Sequence, residues 1–202
     1  MIRLIDGSGK NSPEEYDRIF QEKKPDWQDL RRWKKLLRYY RGGSLIDLGC
    51  LNSEIPKLMS YPNLYTGIDT ARKSLIEMQK KYPHSCYEYA SLYNLPSIIK
   101  IYPHSYAVLG EVLEHLEEPE KAVREAFRVL KSGGILAISV PLEEAIEPGA
   151  VDGERHLWSY TKQDILDLVA PYSKKVKTKV LRSRWFPYKY CWPQLICWAT
   201  KR

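Results

Sequence analysis

Cysteine is scarce. Cys50, Cys86, Cys191 and Cys197 are the four in 202 residues, and none stands in a C-x-x-C or other zinc-type spacing. That excludes a zinc ribbon or a dithiol redox centre, and makes reduced thiols in a cytoplasmic protein the expectation. No apolar run approaches the ~20 residues that span a bilayer. The N-terminus is polar from Asp6 onward, so a signal peptide is not expected. Internal repeats and low-complexity segments are lacking, and so is a G-x-G-x-x-G run, without which a pyrophosphate cradle is poorly supplied.

What is present suits one well-cored domain: 202 residues, 44% hydrophobic. The net charge of +7 admits acidic partners such as nucleic acid, and a solvated surface explains it equally well.

The chain is organised around Gly42-Gly43-Ser44-Leu45-Ile46-Asp47-Leu48-Gly49-Cys50-Leu51-Asn52-Ser53-Glu54. Residues 45–48 read as a buried strand, 49–53 as a tight turn and 54–59 as a short helix. In an α/β sheet such a turn is where a small ligand meets bare backbone and helix N–H groups. Residues 64–69 read as a second strand ending in Asp69, about 20 residues past the glycine turn, the separation of a ribose-binding acid. Asp69 would accept from the two ribose hydroxyls, and Asp47 would face an ammonium group or its bound water. A nucleoside without phosphates fits best.

On the N-terminal side, Ser12-Pro13-Glu14-Glu15 has the pattern of an N-cap, N1 proline and acidic first turn, opening a helix that carries Tyr16 and Phe20 as a candidate flap. Trp27, Leu30, Trp33, Leu37 and Tyr40 recur at helical spacing over 26–40. Arg31, Arg32, Lys34, Lys35 and Arg38 fill the positions between them. This reads as an amphipathic helix with solvated charges, with a nucleic-acid stripe as the alternative.

Downstream, Thr70 is expected to cap a helix over 71–81, with strands over 87–90 and 105–109. A helix should begin at Glu111, another runs over 118–130, and a strand spans 135–140. Thr161 should cap a helix to Val169, followed by strands over 176–180 and 195–199. Lys175, Lys177 and Lys179 would protect an edge or a solvent face. Strands alternating with helices argue for an α/β, Rossmann-like doubly wound sheet with helices on both faces.

These segments resemble the motifs of class I S-adenosylmethionine-dependent methyltransferases, of the type 11/12 kind and similar to the ubiquinone-pathway O-methyltransferases. Leu45-Ile46-Asp47-Leu48-Gly49-Cys50 is similar to the first motif and Thr66-Gly67-Ile68-Asp69 to the second. Glu111-Val112-Leu113-Glu114-His115-Leu116, Arg128-Val129-Leu130-Lys131-Ser132-Gly133-Gly134 and Ile138-Ser139-Val140-Pro141 resemble the later ones. His156-Leu157-Trp158-Ser159-Tyr160-Thr161 resembles the segment before the family's last helix. The likeness covers roughly residues 40 to 170.

It implies about seven strands with the last antiparallel. It also implies one domain over 1–202, divided into a helical cap (1–42), a cofactor-binding half (43–141) and an acceptor-side half (142–202). Asp47, Gly49 and Cys50 would then line the methionine end of the cofactor, Asp69 the ribose, Ser91 and Leu92 the adenine, and Gly110 with Glu111 the sulfonium, with Thr70 also among the cofactor-binding residues. The family usually has glycine where this chain has Leu51 and Ser53, and often an aspartate where it has Ser91. Those departures leave a non-catalytic nucleoside-binding relative as one alternative.

Methyl transfer from a sulfonium needs alignment, exclusion of water and, for a hydroxyl acceptor, removal of a proton. On a helix, Glu111, Glu114 and His115 at i, i+3 and i+4 would share one face. Together with His156 they would offer four ligands to a divalent ion, or His115 would act alone as base. Glu-x-x-Glu-His with a later His resembles the metal site of methyltransferases acting on the terminal 2′-hydroxyl of small RNAs. The leading expectation is O-methylation of a small metabolite or glycan, with S-adenosylhomocysteine as coproduct. An RNA acceptor is the alternative, bound by the basic helix and by the aromatics Trp185, Phe186, Tyr188, Tyr190 and Trp192.

Overall fold

A computed structural model describes residues 1–3, 11–22, 25, 27–97, 99, 103–142, 156–181 and 193–202. The expected acidic loop (143–155), the aromatic and basic connection (182–192) and Cys191 fall outside the described residues. Cys50, Cys86 and Cys197 are free thiols. Among the described residues no helix is long and apolar enough to cross a membrane.

In chain order the elements are β1 (Ile2–Arg3), α1 (Pro13–Glu22), α2 (Trp27–Leu36), β2 (Leu45–Leu48), α3 (Ile55–Leu58), β3 (Tyr65–Asp69), α4 (Arg72–Lys81) and β4 (Cys86–Tyr89). They continue with β5 (His104–Gly110), α5 (Pro119–Arg128), β6 (Leu130–Pro141), β7 (Trp158–Ser159), α6 (Lys162–Val169), β8 (Ser173–Leu181) and β9 (Gln194–Lys201). Seven strands form one sheet in the order β4-β3-β2-β5-β6-β9-β8. Neighbours from β4 to β6 are parallel, and the last strand, β9, runs antiparallel to both β6 and β8. The order reverses between β2 and β5, which opens a crevice at their C-terminal ends.

Successive strand residues point to opposite faces, so each strand feeds two cores. Ile46, Leu48, Ala107, Leu109 and Ile138 pack with Ala122, Val123, Ala126 and Phe127 of α5 and Ile165 and Val169 of α6. Leu45, Tyr65, Tyr106, Val108, Ala137, Ile196 and Trp198 pack with Trp33 and Leu36 of α2. The lysines of β8 are exposed on the sheet's edge, where charge blocks pairing with another chain.

Four local expectations are corrected. First, α2 ends at Leu36 and tightens into a 3₁₀ turn over Leu37–Tyr39. Leu36 becomes fully buried while Leu30 is exposed. The Leu36 carbonyl anchors the helix end by accepting from Tyr106 Oη at 2.5 Å and Trp198 Nε1 at 3.0 Å. Second, Thr70 does not cap α4. Ala71 holds the cap position without a side-chain bond, and Asp17 of α1 accepts from the Lys73 and Ser74 N–H groups at 2.8 and 3.3 Å instead. Third, no helix begins at Glu111, because its φ of +57° is left-handed and only a 3₁₀ turn over Leu113–His115 follows. Fourth, β6 begins at Leu130, with a register shift that bulges the glycine pair, Gly133 having φ +74°. By contrast, Ser12 and Thr161 cap as expected. Ser12 Oγ accepts from Glu15 N at 3.3 Å, and Thr161 makes a reciprocal capping box with Asp164.

Candidate active site

The turn after β2 is shaped by Gly49, whose φ of +81° favours glycine and where a Cβ would come within 2.6 Å of Val112. Gly49 and Cys50 N–H both donate to the Ile68 carbonyl, at 2.8 and 3.0 Å. Leu51, left-handed at φ +33°, turns its N–H onto Asp69 Oδ2 at 2.8 Å. Ser74 Oγ holds the Leu51 carbonyl from the other side. The turn is therefore a fixed arch standing over the end of β3.

Asp69 closes β3 as expected. Its Oδ1 accepts from Thr70 and Ala71 N–H at 2.7 and 2.9 Å. Burial raises its pKa, opposed by these backbone bonds. A carboxylate offers about four acceptor sites. Three are taken by backbone N–H groups, so the acid has room for about one hydroxyl bond where sequence reasoning expected two.

Asp47 is turned toward Tyr65, whose hydroxyl donates to Oδ2 at 2.9 Å. Burial pushes its carboxyl up to about 6, opposed by hydrogen bonds from Ser53 and Tyr65. Cys50 is buried, and a Cβ on Gly67 would meet its Sγ at 2.8 Å, so Cys50 presents backbone rather than thiol to the crevice. Burial drives that thiol's pKa well above its ordinary range. Ser91 is exposed and its Oγ accepts from Tyr93 N at 3.2 Å, while Leu92 packs half-buried on the α5 side.

The four-residue acceptor constellation divides. Glu114, His115 and His156 come together, with ligand atoms all within 4.8 Å of one another. Three bonds stitch their two segments: Leu157 N–H to the Glu114 carbonyl at 2.6 Å, Trp158 Nε1 to the Leu116 carbonyl at 2.7 Å, and Tyr160 Oη to the Leu113 carbonyl at 3.1 Å. The His115 and His156 rings meet edge-on at 4.8 Å. From α1, Tyr16 lies edge-on to His115 at 6.0 Å, and Asn11 Nδ2 donates to the His115 carbonyl at 3.2 Å. Glu111 is not a member. Its left-handed backbone turns the side chain toward β9 and α2, where Oε2 accepts from Gln194 Nε2 at 3.1 Å.

Sequence reasoning missed Arg32, Gln194, Tyr65 and Ser74 as site residues. Arg32 sits at i+3 from Asp29 and i−4 from Leu36, so it lies on the stripe that faces the sheet. That spacing is the signal that would have found it.

Residues 46–138 match a family described as a methyltransferase domain. Among solved structures the chain resembles an S-adenosylmethionine-dependent methyltransferase of Thermotoga maritima at 16% identity and TM-score 0.68, covering 93% of this chain and 98% of that one. It resembles the N-methyltransferase NodS of Bradyrhizobium japonicum, bound to S-adenosyl-L-homocysteine, at 12% identity and TM-score 0.70, covering 95% and 98%. The [4+2]-cyclase SpnF is similar at 20% identity and TM-score 0.67, covering 88% and 84%. No curated protein matches the chain significantly. At these identities the structural likenesses establish the fold. The matched stretch runs from the first strand of the crevice into β6, so it is the crevice-bearing part of the sheet that resembles a methyltransferase domain.

Proposed function

We propose that the chain methylates a hydroxyl of a small metabolite or glycan, with His115 as the proton acceptor. The observation that carries this reading is the cluster of Glu114, His115 and His156, held beside the crevice by three hydrogen bonds from the segment of His156. The donor's nucleoside fits the rest of the crevice. Gly49 is without a side chain there, and Asp69 keeps acceptor capacity on Oδ2.

The sulfonium supplies an activated methyl group and leaves as a neutral thioether. With the donor bound, its methyl group would pass to the acceptor oxygen as the S–CH₃ bond breaks, and the hydroxyl proton would pass to an imidazole nitrogen of His115. Tyr16, Asn11 and His156 fix the place of that ring. Positioning and proton removal are the protein's share of the catalysis.

A divalent ion on Glu114, His115 and His156 is the second reading, favoured by their convergence. Two ligands about 2.1 Å from one ion stand at most ~4.2 Å apart, so a cluster spread over 4.8 Å would contract on binding it. An RNA acceptor is supported by Arg31, Lys34 and Lys35, which with Leu30 line an open groove of about 340 Å³ on α2. Its binding should weaken steeply with salt.

The test is transfer of labelled methyl to a panel of phenols, sugars and amines. Hydroxyl acceptors should be methylated, and His115→Ala should lower turnover about 100-fold or more while leaving cofactor affinity unchanged. Loss of activity on chelation, restored by magnesium, would replace the base reading with the ion. Methylation of amines alone would overturn the oxygen assignment.

A further inference from the structure

Charge is not spread evenly over the molecule. On the face of the sheet that α5 and α6 cover, cations pair with carboxylates, Lys121 with Glu118 and Arg128 with Glu125. The face that α2 covers differs. Asp29, the one acid of that helix, is taken by Arg32 at 2.5 Å. Arg31, Lys34 and Arg38 are exposed and Lys35 half-buried, and none of the four has an ion-pair partner among the described residues. β8 continues this face. Lys175, Lys177 and Lys179 alternate along it in step with Leu181, which packs in the same core as Trp33 and Leu36 of α2, whereas Val176 and Val180 pack on the opposite core. Tyr39, just past α2, joins the two elements, its ring centre 4.5 Å from Lys177 Nζ and 5.8 Å from the Arg38 guanidinium. Neither β8 nor the neighbouring β9 contains an acid.

Gathering these cations opposes folding. Arg31 with Lys35, and Lys34 with Arg38, are like charges at i, i+4 on a helix. Lysines two apart on a strand stand about 6.7 Å from one another, inside the ~8 Å over which physiological salt screens charge. A charged edge strand resists pairing, which accounts for β8 but not for the helix. A polyanion accounts for both. A lipid surface would need apolar side chains to enter it, and α2 turns Trp33 and Leu36 into the core. An acidic peptide would match the charge alone. The groove on α2 sets charge beside an apolar surface, with Leu30, Arg31, Lys34 and Lys35 around about 340 Å³. An unstacked base next to its phosphate offers both.

We propose that the face shared by α2 and β8 is a docking surface for single-stranded nucleic acid, its phosphates meeting the lysines of β8 and one nucleotide entering the groove on α2. Such docking needs no methyl donor and does not depend on which molecule is methylated. It gives the net charge of +7 a location and a use. A packing helix and a sheet edge become a second binding surface, separate from the crevice.

The test is fluorescence anisotropy of a labelled oligouridylate with the full chain over a range of salt. The proteins compared are the wild type, the triple variant Arg31→Gln, Lys34→Gln, Lys35→Gln, and the triple variant Lys175→Gln, Lys177→Gln, Lys179→Gln. A third triple, Lys121→Gln, Arg124→Gln, Lys162→Gln, removes as much charge from the opposite face, and circular dichroism checks that each is folded. Wild-type affinity should fall steeply as salt rises. The α2 and β8 triples should each bind at least tenfold more weakly, with the slope of log K against log salt smaller by about 2, three phosphate contacts at ~0.7 each. The opposite-face triple should stay within about twofold of wild type. If the α2 triple fails to fold, the β8 triple against the opposite-face triple decides. No binding by the wild type, equal losses in all three triples, or a loss confined to the α2 triple would overturn the face as proposed. Duplex RNA, phosphatidylserine vesicles or polyglutamate bound as tightly as the oligomer would overturn its occupant. None of these results bears on the methyl donor, so the reading of the crevice stands or falls separately.

Discussion

Leu51 stands where a glycine would be at ease. Its φ of +33° is left-handed, which costs a leucine about 1 kcal/mol or more, and the arch persists because Asp69 and Ser74 grip it from two sides. Replacing it should therefore relax the turn without moving it. Leu51→Gly is expected to bind S-adenosylhomocysteine more tightly, by about threefold to tenfold, since a side chain at the cofactor's edge is removed and the N–H bond to Asp69 is kept. Calorimetry reads this directly, and weaker binding would mean that the leucine side chain contacts the ligand favourably.

Residues whose place follows from backbone demands were legible in sequence. Gly49 is set by a turn and Asp69 by its distance from that turn. Glu111 was not legible. The i, i+3, i+4 argument holds only on a helix, and one left-handed residue between Gly110 and the 3₁₀ turn sends Glu111 away from His115.

At the scale of elements, α1 and α4 are joined by a cap borrowed across the chain. The first N–H groups of α4 are met by Asp17 at 2.8 and 3.3 Å, not by the residue before the helix. Removing a capping oxygen costs about 1 kcal/mol, which in a domain of this size lowers the melting temperature by about 2–4 °C. Asp17→Ala should show that shift in a thermal scan. It should also raise hydrogen exchange in α1, the helix that brings Tyr16 to His115, and an unchanged exchange pattern would mean that α1 is held by other contacts. A cap supplied by a neighbour in sequence can be read from sequence, as Ser12 and Thr161 show. One supplied from 56 residues away cannot, because nothing local marks Asp17 as its source.

At the scale of the molecule, alternating strand and helix patterns led to the doubly wound sheet, and the family resemblance led to its antiparallel last strand, β9, which lies between β6 and β8. What that topology brings together was only partly visible. Glu114 and His156 are 42 positions apart, and their meeting depends on Leu157, Trp158 and Tyr160 finding carbonyls of the turn after β5. The sheet order also places Arg32, Glu111 and Gln194, drawn from three distant elements, at one rim of the crevice.

Everything in the site hangs on a donor seated over the ends of β2 and β3 with its ribose on Asp69. The most direct measurement is titration of S-adenosylhomocysteine into the wild-type chain and into Asp69→Asn, with circular dichroism confirming that the variant is folded. The account expects one molecule bound per chain and an affinity at least tenfold lower in Asp69→Asn, the loss of about one charge-assisted hydrogen bond. Equal binding by the two proteins, or none by the wild type, would contradict it.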